Sequence, residues 1–150
     1  MCRTILALLF FWTFALSAQA ADGLVSVKSA HDVKTTADRL EKILKNKGMT
    51  VFKRIDHAAG AAHVGQNLRP TELIIFGNPK IGSKLMQCSQ TIAIDLPQKA
   101  LIWQDVDGVV WLSYNEPRYL SNRHIKEGCK PVIVKIMGAL GKFAKAATDP

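Results

Sequence analysis

The sequence predicts an α+β domain built on one antiparallel sheet, with helices packed on one side. Three observations lead there. Short runs with apolar residues at every second position mix with stretches of helical spacing, without the strict alternation of a parallel α/β fold. The runs Ala100 to Gln104 and Val109 to Tyr114 are joined by Asp105-Val106-Asp107-Gly108, a hairpin loop that forces antiparallel pairing. The chain is also too short for two domains once its first segment is set aside, and long enough for one core.

That first segment reads as a cleavable signal peptide, 1–20. Arg3 supplies a positive start, Ile5 to Leu16 is apolar except for Thr13, and Ser17-Ala18-Gln19-Ala20 has the small residues of a cut between Ala20 and Ala21. The run is shorter than the roughly 18 to 20 apolar residues a spanning helix needs. The expected location is therefore periplasmic or secreted, with no transmembrane segment in a mature chain of 21–150. No cysteine follows the cut, which argues against a lipid anchor. Loss of the leader removes Arg3 alone among the charged residues, so the net charge falls from +8 to +7. Such a balance favours anionic surfaces or partners. The charges are dispersed, and no basic cluster with interleaved aromatics is present, so nucleic acid is a poor partner.

Along the mature chain, Gly23 to Lys28 alternates as a first strand. Ser29 has the position of an N-cap with Asp32 three residues on, and Val33, Ala37, Leu40, Ile43 and Leu44 then define a helix that ends near Gly48. Asp38 with Lys42, and Glu41 with Lys45, have the spacing of ion pairs on its outer side. His31, in the first turn, is expected to be exposed. Met49 to Asp56 is a second strand and Ala58 to Val64 a short Ala-rich helix. Glu72 to Phe76 is a compact apolar strand, with a tight exit at Gly77-Asn78-Pro79 where Asn tolerates unusual backbone angles. Ile81, Leu85 and Met86 begin another helix, which Thr91 to Leu96 continue as a turn. Asn115 has the position to cap Pro117 to His124. Pro131 suits the first turn of a last helix, about 131–147, whose Ile133, Ile136, Met137, Leu140, Phe143 and Ala147 form one apolar face. That face either packs on the sheet, the simpler reading, or lies on a membrane.

Two cysteines remain after the leader, Cys88 and Cys129, in a compartment that permits oxidation. A bond between them would close a loop of about 41 residues and contribute about 3 to 4 kcal/mol. Two buried free thiols are the alternative. Among the histidines, no spacing matches a metal motif, because His57 and His63 do not align on one helix face. Asp56-His57 has the composition of an acid–base pair, but adjacent strand residues point to opposite faces. Loops past strand ends gather sites, which draws attention to Gly77-Asn78-Pro79 and to Tyr114-Asn115-Glu116-Pro117.

The order of segments resembles the uncharacterised family called domain of unknown function 302. The resemblance is carried by Phe52-Lys53-Arg54-Ile55-Asp56-His57, Val64-Gly65, Leu68-Arg69-Pro70-Thr71-Glu72-Leu73, Phe76-Gly77-Asn78-Pro79-Lys80, Ile94-Asp95-Leu96-Pro97, Ile102-Trp103-Gln104-Asp105, Val110-Trp111-Leu112-Ser113-Tyr114 and Arg123-His124. It spans about 23–124; the cysteines and the tail after Cys129 are additions to its pattern. The resemblance implies a small α+β unit with a fold similar to the TATA-binding protein repeat, and pairing as a homodimer. It implies no activity and no cofactor. It marks Asp56, His57, Asn78, Tyr114 and His124 as candidate ligand-binding positions. The functional expectation is a binding module for a small molecule or metal, in a pocket near His57 and the Gly77-Asn78-Pro79 loop. The alternatives are an envelope enzyme with His57 or His124 as general base and Tyr114 as its partner, and a structural or interaction protein of the envelope.

Overall fold

The computed structural model describes residues 23–125 and 128–150; the leader and the cut between Ala20 and Ala21 lie outside them. The elements follow the order β1 (Leu24–Lys28), α1 (Val33–Asn46), β2 (Thr50–Asp56), α2 (His57–His63), β3 (Thr71–Gly77), α3 (Pro79–Cys88), a 3-10 turn (Gln90–Ile94), β4 (Gln98–Gln104), β5 (Val110–Asn115), α4 (Pro117–His124) and α5 (Lys130–Thr148). The strands form one antiparallel sheet in the order β1-β5-β4-β3-β2.

One face of the sheet carries the core. Ile74, Phe76, Ala100, Ile102, Leu112 and Tyr114 project from it and meet Val33, Ala37, Leu40 and Leu44 of α1 and Leu140, Ala144 and Ala147 of α5. Alternation in the strands and three-to-four spacing in the helices put these residues on facing surfaces. The apolar side of α5 is thus consumed inside the fold. Two side chains of the α1 region, Arg39 and His31, close the C-terminal end of α5. Arg39 donates to the carbonyls of Ala146, Ala147 and Asp149, and a His31 ring nitrogen lies 2.8 Å from the Asp149 carbonyl. Those carbonyls have no partner within the helix, so positive donors are favoured there. His31 is therefore half-buried rather than exposed.

The opposite face carries Ile55, Leu73, Leu101 and Ser113 in one row and Trp103 beside Trp111 in the next. The Trp103 indole donates to Ser113 Oγ at 2.9 Å, and Ser113 Oγ lies 2.8 Å from Ser26 Oγ, which keeps that hydroxyl shielded and satisfied. The large residues of this face remain half-buried.

Several local expectations are corrected. Asp32, not Ser29, is the N-cap of α1, accepting from the Thr35 amide at 2.6 Å, while Ser29 bonds Thr36 Oγ1. Glu116, not Asn115, precedes α4 and makes no side-chain cap. Asp38 pairs with Lys34 and with Arg54 rather than with Lys42; the Glu41–Lys45 pair forms as expected. Arg54 of β2 also bonds Glu72 of β3 and lies 3.5 Å from Glu41, tying α1 to the sheet edge. These carboxylates raise the guanidinium pKa, while Asp38 and Glu41 are held below the usual carboxylate range by hydrogen bonds from their cationic partners.

A second, smaller core joins Leu85 of α3, Ile92 of the 3-10 turn, Leu120 of α4, and Cys129 and Ile133 at the start of α5. Cys88 and Cys129 form a disulfide, with their Cα atoms 6.4 Å apart. It connects the last residue of α3 to the residue before α5.

Candidate functional site

Between the two cores lies a cavity of about 550 Å³, walled by α3, the 3-10 turn, α5 and the adjoining ends of β2, β3 and β4. Its lining is mainly apolar and includes Met49, Phe52, Ile81, Leu96, Ile136 and Phe143. Sheet irregularity helps to build it. The β2–β3 register moves by two residues on β2, from Val51 to Lys53, against one on β3, so Phe52 is the extra residue of a bulge. Its ring is half exposed, at 51 %, and lies by Gly77, where an added Cβ would stand 3.4 Å from Phe52 Cε2. Ile81 and Met86, also exposed, complete an apolar mouth.

Asn78 belongs to this site. It has an ordinary extended backbone (φ −129°), not an unusual one, and caps α3 by accepting from the Lys80 amide at 3.0 Å. Asp56 and His57 do not belong to it. Thr50 pairs with Gly77, whereas Asp56 pairs with Glu72 six residues further along β2, about 20 Å away at strand rise. The expected pocket shared by His57 and the Gly77-Asn78-Pro79 loop is therefore overturned, since the two lie at opposite ends of the sheet. Asp56 instead caps α2, accepting from the Ala59 amide at 2.8 Å, and His57 is exposed on its first turn.

Tyr114 is a core residue, 8 % exposed. Burial, and secondarily the charge of Glu116, raises its hydroxyl pKa. Its hydroxyl lies by Gly141 of α5, where an added Cβ would stand 3.9 Å away.

His124 has a defined setting. One ring nitrogen lies 2.5 Å from Asp95 Oδ2 and the other 3.1 Å from Thr91 Oγ1, which lies 3.0 Å from Ser89 Oγ. Arg123 also approaches Asp95, at 3.2 Å. This chain of groups ties α4 to the 3-10 turn that forms one wall of the cavity. A hydroxyl, an imidazole and a carboxylate in sequence can also relay a proton. Asp95 and Thr91 were not singled out in the sequence, because residues 29 and 33 positions from His124 give no local pattern. Among the described residues, no group of three or more His, Cys, Asp or Glu side chains converges to hold a metal ion.

A single five-stranded antiparallel sheet with helices packed against it defines a class: small α+β domains. The chain belongs to the family described as Domain of unknown function DUF302, whose pattern matches residues 25–143. The match continues past His124 and so takes in Cys129 and most of α5, which the sequence resemblance had left out. The fold is similar to the crystal structure of an uncharacterised conserved DUF302 protein from Bacillus stearothermophilus, with a TM-score of 0.68 at 20% identity over 86% of this chain and 98% of that one. Similar sequences also occur in Brucella suis biovar 1 and Brucella abortus biovar 1. There, proteins named fluoride-specific ion channel FluC 1 are 48% identical over 126 residues, 81% of this chain. The chain spans about half the length of these curated relatives, 50% and 47% respectively. Among the described residues, no helix is long and apolar enough to cross a membrane.

Proposed function

We propose that this chain is an exported binding domain that holds a small, largely apolar molecule in the cavity between α3, the 3-10 turn and α5. The observation that carries this reading is the cavity itself. About 550 Å³ falls within the range of small-molecule sites, and its apolar lining is enclosed by helices on two sides. The test is fluorescence enhancement of N-phenyl-1-naphthylamine, a neutral apolar probe, with wild type and with Gly82→Phe and Ala139→Trp, which place bulk in the cavity. Saturable enhancement in wild type, lost in both folded variants, is the expected result. Equal signals in all three proteins would remove the site from the cavity. Export is checked by expressing the full chain and measuring its mass, which is expected to begin at Ala21.

The Thr91–His124–Asp95 chain favours a second reading, an enzyme with His124 as general base. It predicts turnover of a chromogenic ester panel that His124→Ala abolishes, and a panel without turnover counts against it. The half-buried tryptophan face supports a homodimer in which a second copy covers Trp103 and Trp111. Native mass spectrometry is then expected to give a dimer that Trp103→Glu converts to monomer; a monomeric wild type would exclude that contact.

A further inference from the structure

We propose that the cavity is selective for a fatty-acid-like ligand, a single apolar chain ending in a carboxylate; this rests on the binding reading above and adds the identity of the polar end. The lining holds two cations, Lys84 from α3 and Lys135 from α5, and no acidic residue. Neither ammonium has an ion-pair partner among the described residues. Four lysines of this domain do have carboxylate or carbonyl partners: Lys34, Lys45, Lys99 and Lys145. Other lysines, among them Lys42, Lys80 and Lys142, likewise have no ion-pair partner among the described residues; what sets Lys84 and Lys135 apart is their place on an apolar lining that holds no carboxylate. Positive charge from two walls, with no counter-charge, complements an anion and repels a cation.

A third polar group stands deeper. Gln98, the first residue of β4, is 8 % exposed and lines the cavity. Its side-chain amide has no hydrogen-bond partner among the described residues. Its polar atoms are not sealed from solvent, so they remain free to meet the polar end of a ligand. A carboxyl end can accept from its NH2, and a ligand that is apolar throughout cannot.

The head group is a carboxylate rather than a phosphate, for two reasons. The lining contains no arginine, the side chain best matched to phosphate. The N-terminus of α3, which borders the cavity, has no amides to offer. Pro79 lacks an N–H, Lys80 donates to Asn78 Oδ1, and Ile81 and Gly82 donate to the Asn78 carbonyl at 2.9 Å. The usual phosphate cradle at a helix start is thus already occupied by the chain itself.

The experiment displaces bound N-phenyl-1-naphthylamine from the full chain with four twelve-carbon competitors below their micellar concentrations: dodecanoate, dodecyl phosphate, dodecanol and dodecyltrimethylammonium. Dodecanoate is expected to displace the probe at a concentration at least tenfold below that of dodecanol, with the ammonium weakest. The double variant Lys84→Gln/Lys135→Gln is expected to reduce the dodecanoate preference at least tenfold and leave dodecanol unchanged. Both lysines are exposed, so the fold is not at stake. Equal potency of dodecanoate and dodecanol overturns the proposal while leaving apolar binding intact. A stronger effect of dodecyl phosphate overturns the carboxylate assignment. Absence of probe binding in wild type removes both readings together.

Discussion

At the scale of single residues, local backbone geometry and hydrogen bonding decide which side chains are replaceable. Gly23 has φ +83°, and a Cβ there would stand 2.6 Å from Tyr119 Cβ, against the root of that side chain rather than its mobile end. Gly23→Ala is therefore expected to cost about 1 to 3 kcal/mol through backbone strain and overpacking, measured as a lower urea midpoint at unchanged slope. Asp105 carries the hairpin. Its Oδ1 accepts from the Asp107 and Val109 amides at 3.0 and 2.9 Å, and its Oδ2 from the Trp111 indole at 2.7 Å. The Trp111 bond, chiefly, lowers the Asp105 pKa below its ordinary value. A depressed carboxylate contributes stability above its unfolded pKa and loses it as pH falls through the folded one. Asp105→Ala is thus expected to be destabilised near pH 7, with the gap to wild type shrinking on acidification below about pH 4. A pH-independent gap in urea melts would show that the charge is not what matters.

At the scale of elements, α3 and the β2–β3 edge make opposite predictions. Gly82 lies inside α3 with a φ outside the positive region and open space where its Cβ would be. Gly82→Ala should stabilise the protein by about 0.5 to 1 kcal/mol through helix propensity and reduced unfolded-state entropy, seen as a raised Tm. Arg54 holds Asp38 of α1 and Glu72 of β3, and its side chain is only 26% exposed. Arg54→Gln leaves these carboxylates gathered without their cation and is expected to cost about 1.5 to 3 kcal/mol. A double-mutant cycle with Glu72→Gln checks that the loss is shared by the pair.

At the scale of the whole molecule, the Cys88–Cys129 bond staples the smaller core and links residues 41 positions apart in the chain. The enclosed stretch runs from α3 through β4, β5 and α4 to the start of α5, so the bond restricts much of the unfolded chain. The double change Cys88→Ser/Cys129→Ser is expected to lower stability by about 3 to 4 kcal/mol on the chain-entropy account, measured by urea unfolding under non-reducing conditions. Because the bond joins the two helices that wall the cavity, the same variant should also bind the neutral probe more weakly.

Much of the architecture was legible from local pattern. The helical spacing of Val33 to Leu44 and of Ile133 to Ala147 predicted two core-facing helices, and Asp105 to Gly108 predicted the hairpin between β4 and β5. Each depends on residues a few positions apart, where periodicity and turn chemistry act directly. Caps were less legible, since Ser29 and Asp32 are both competent and only the chain's path into α1 selects Asp32. The candidate site was legible in part. Asn78 was found at the cavity, and His124 was found in a chain of polar groups, but their partners come from distant segments that no local pattern links. The pairing of His57 with Asn78 failed for a simple reason: consecutive antiparallel strands end at opposite edges, so their exit loops cannot meet. The cavity itself could come only from tertiary structure. Its walls gather residues from Met49 to Phe143, and an empty space between packed elements depends on the bulge at Phe52 and on how far α3 and α5 stand apart. Composition and periodicity determine which surfaces are buried; they do not determine where the packing leaves a gap.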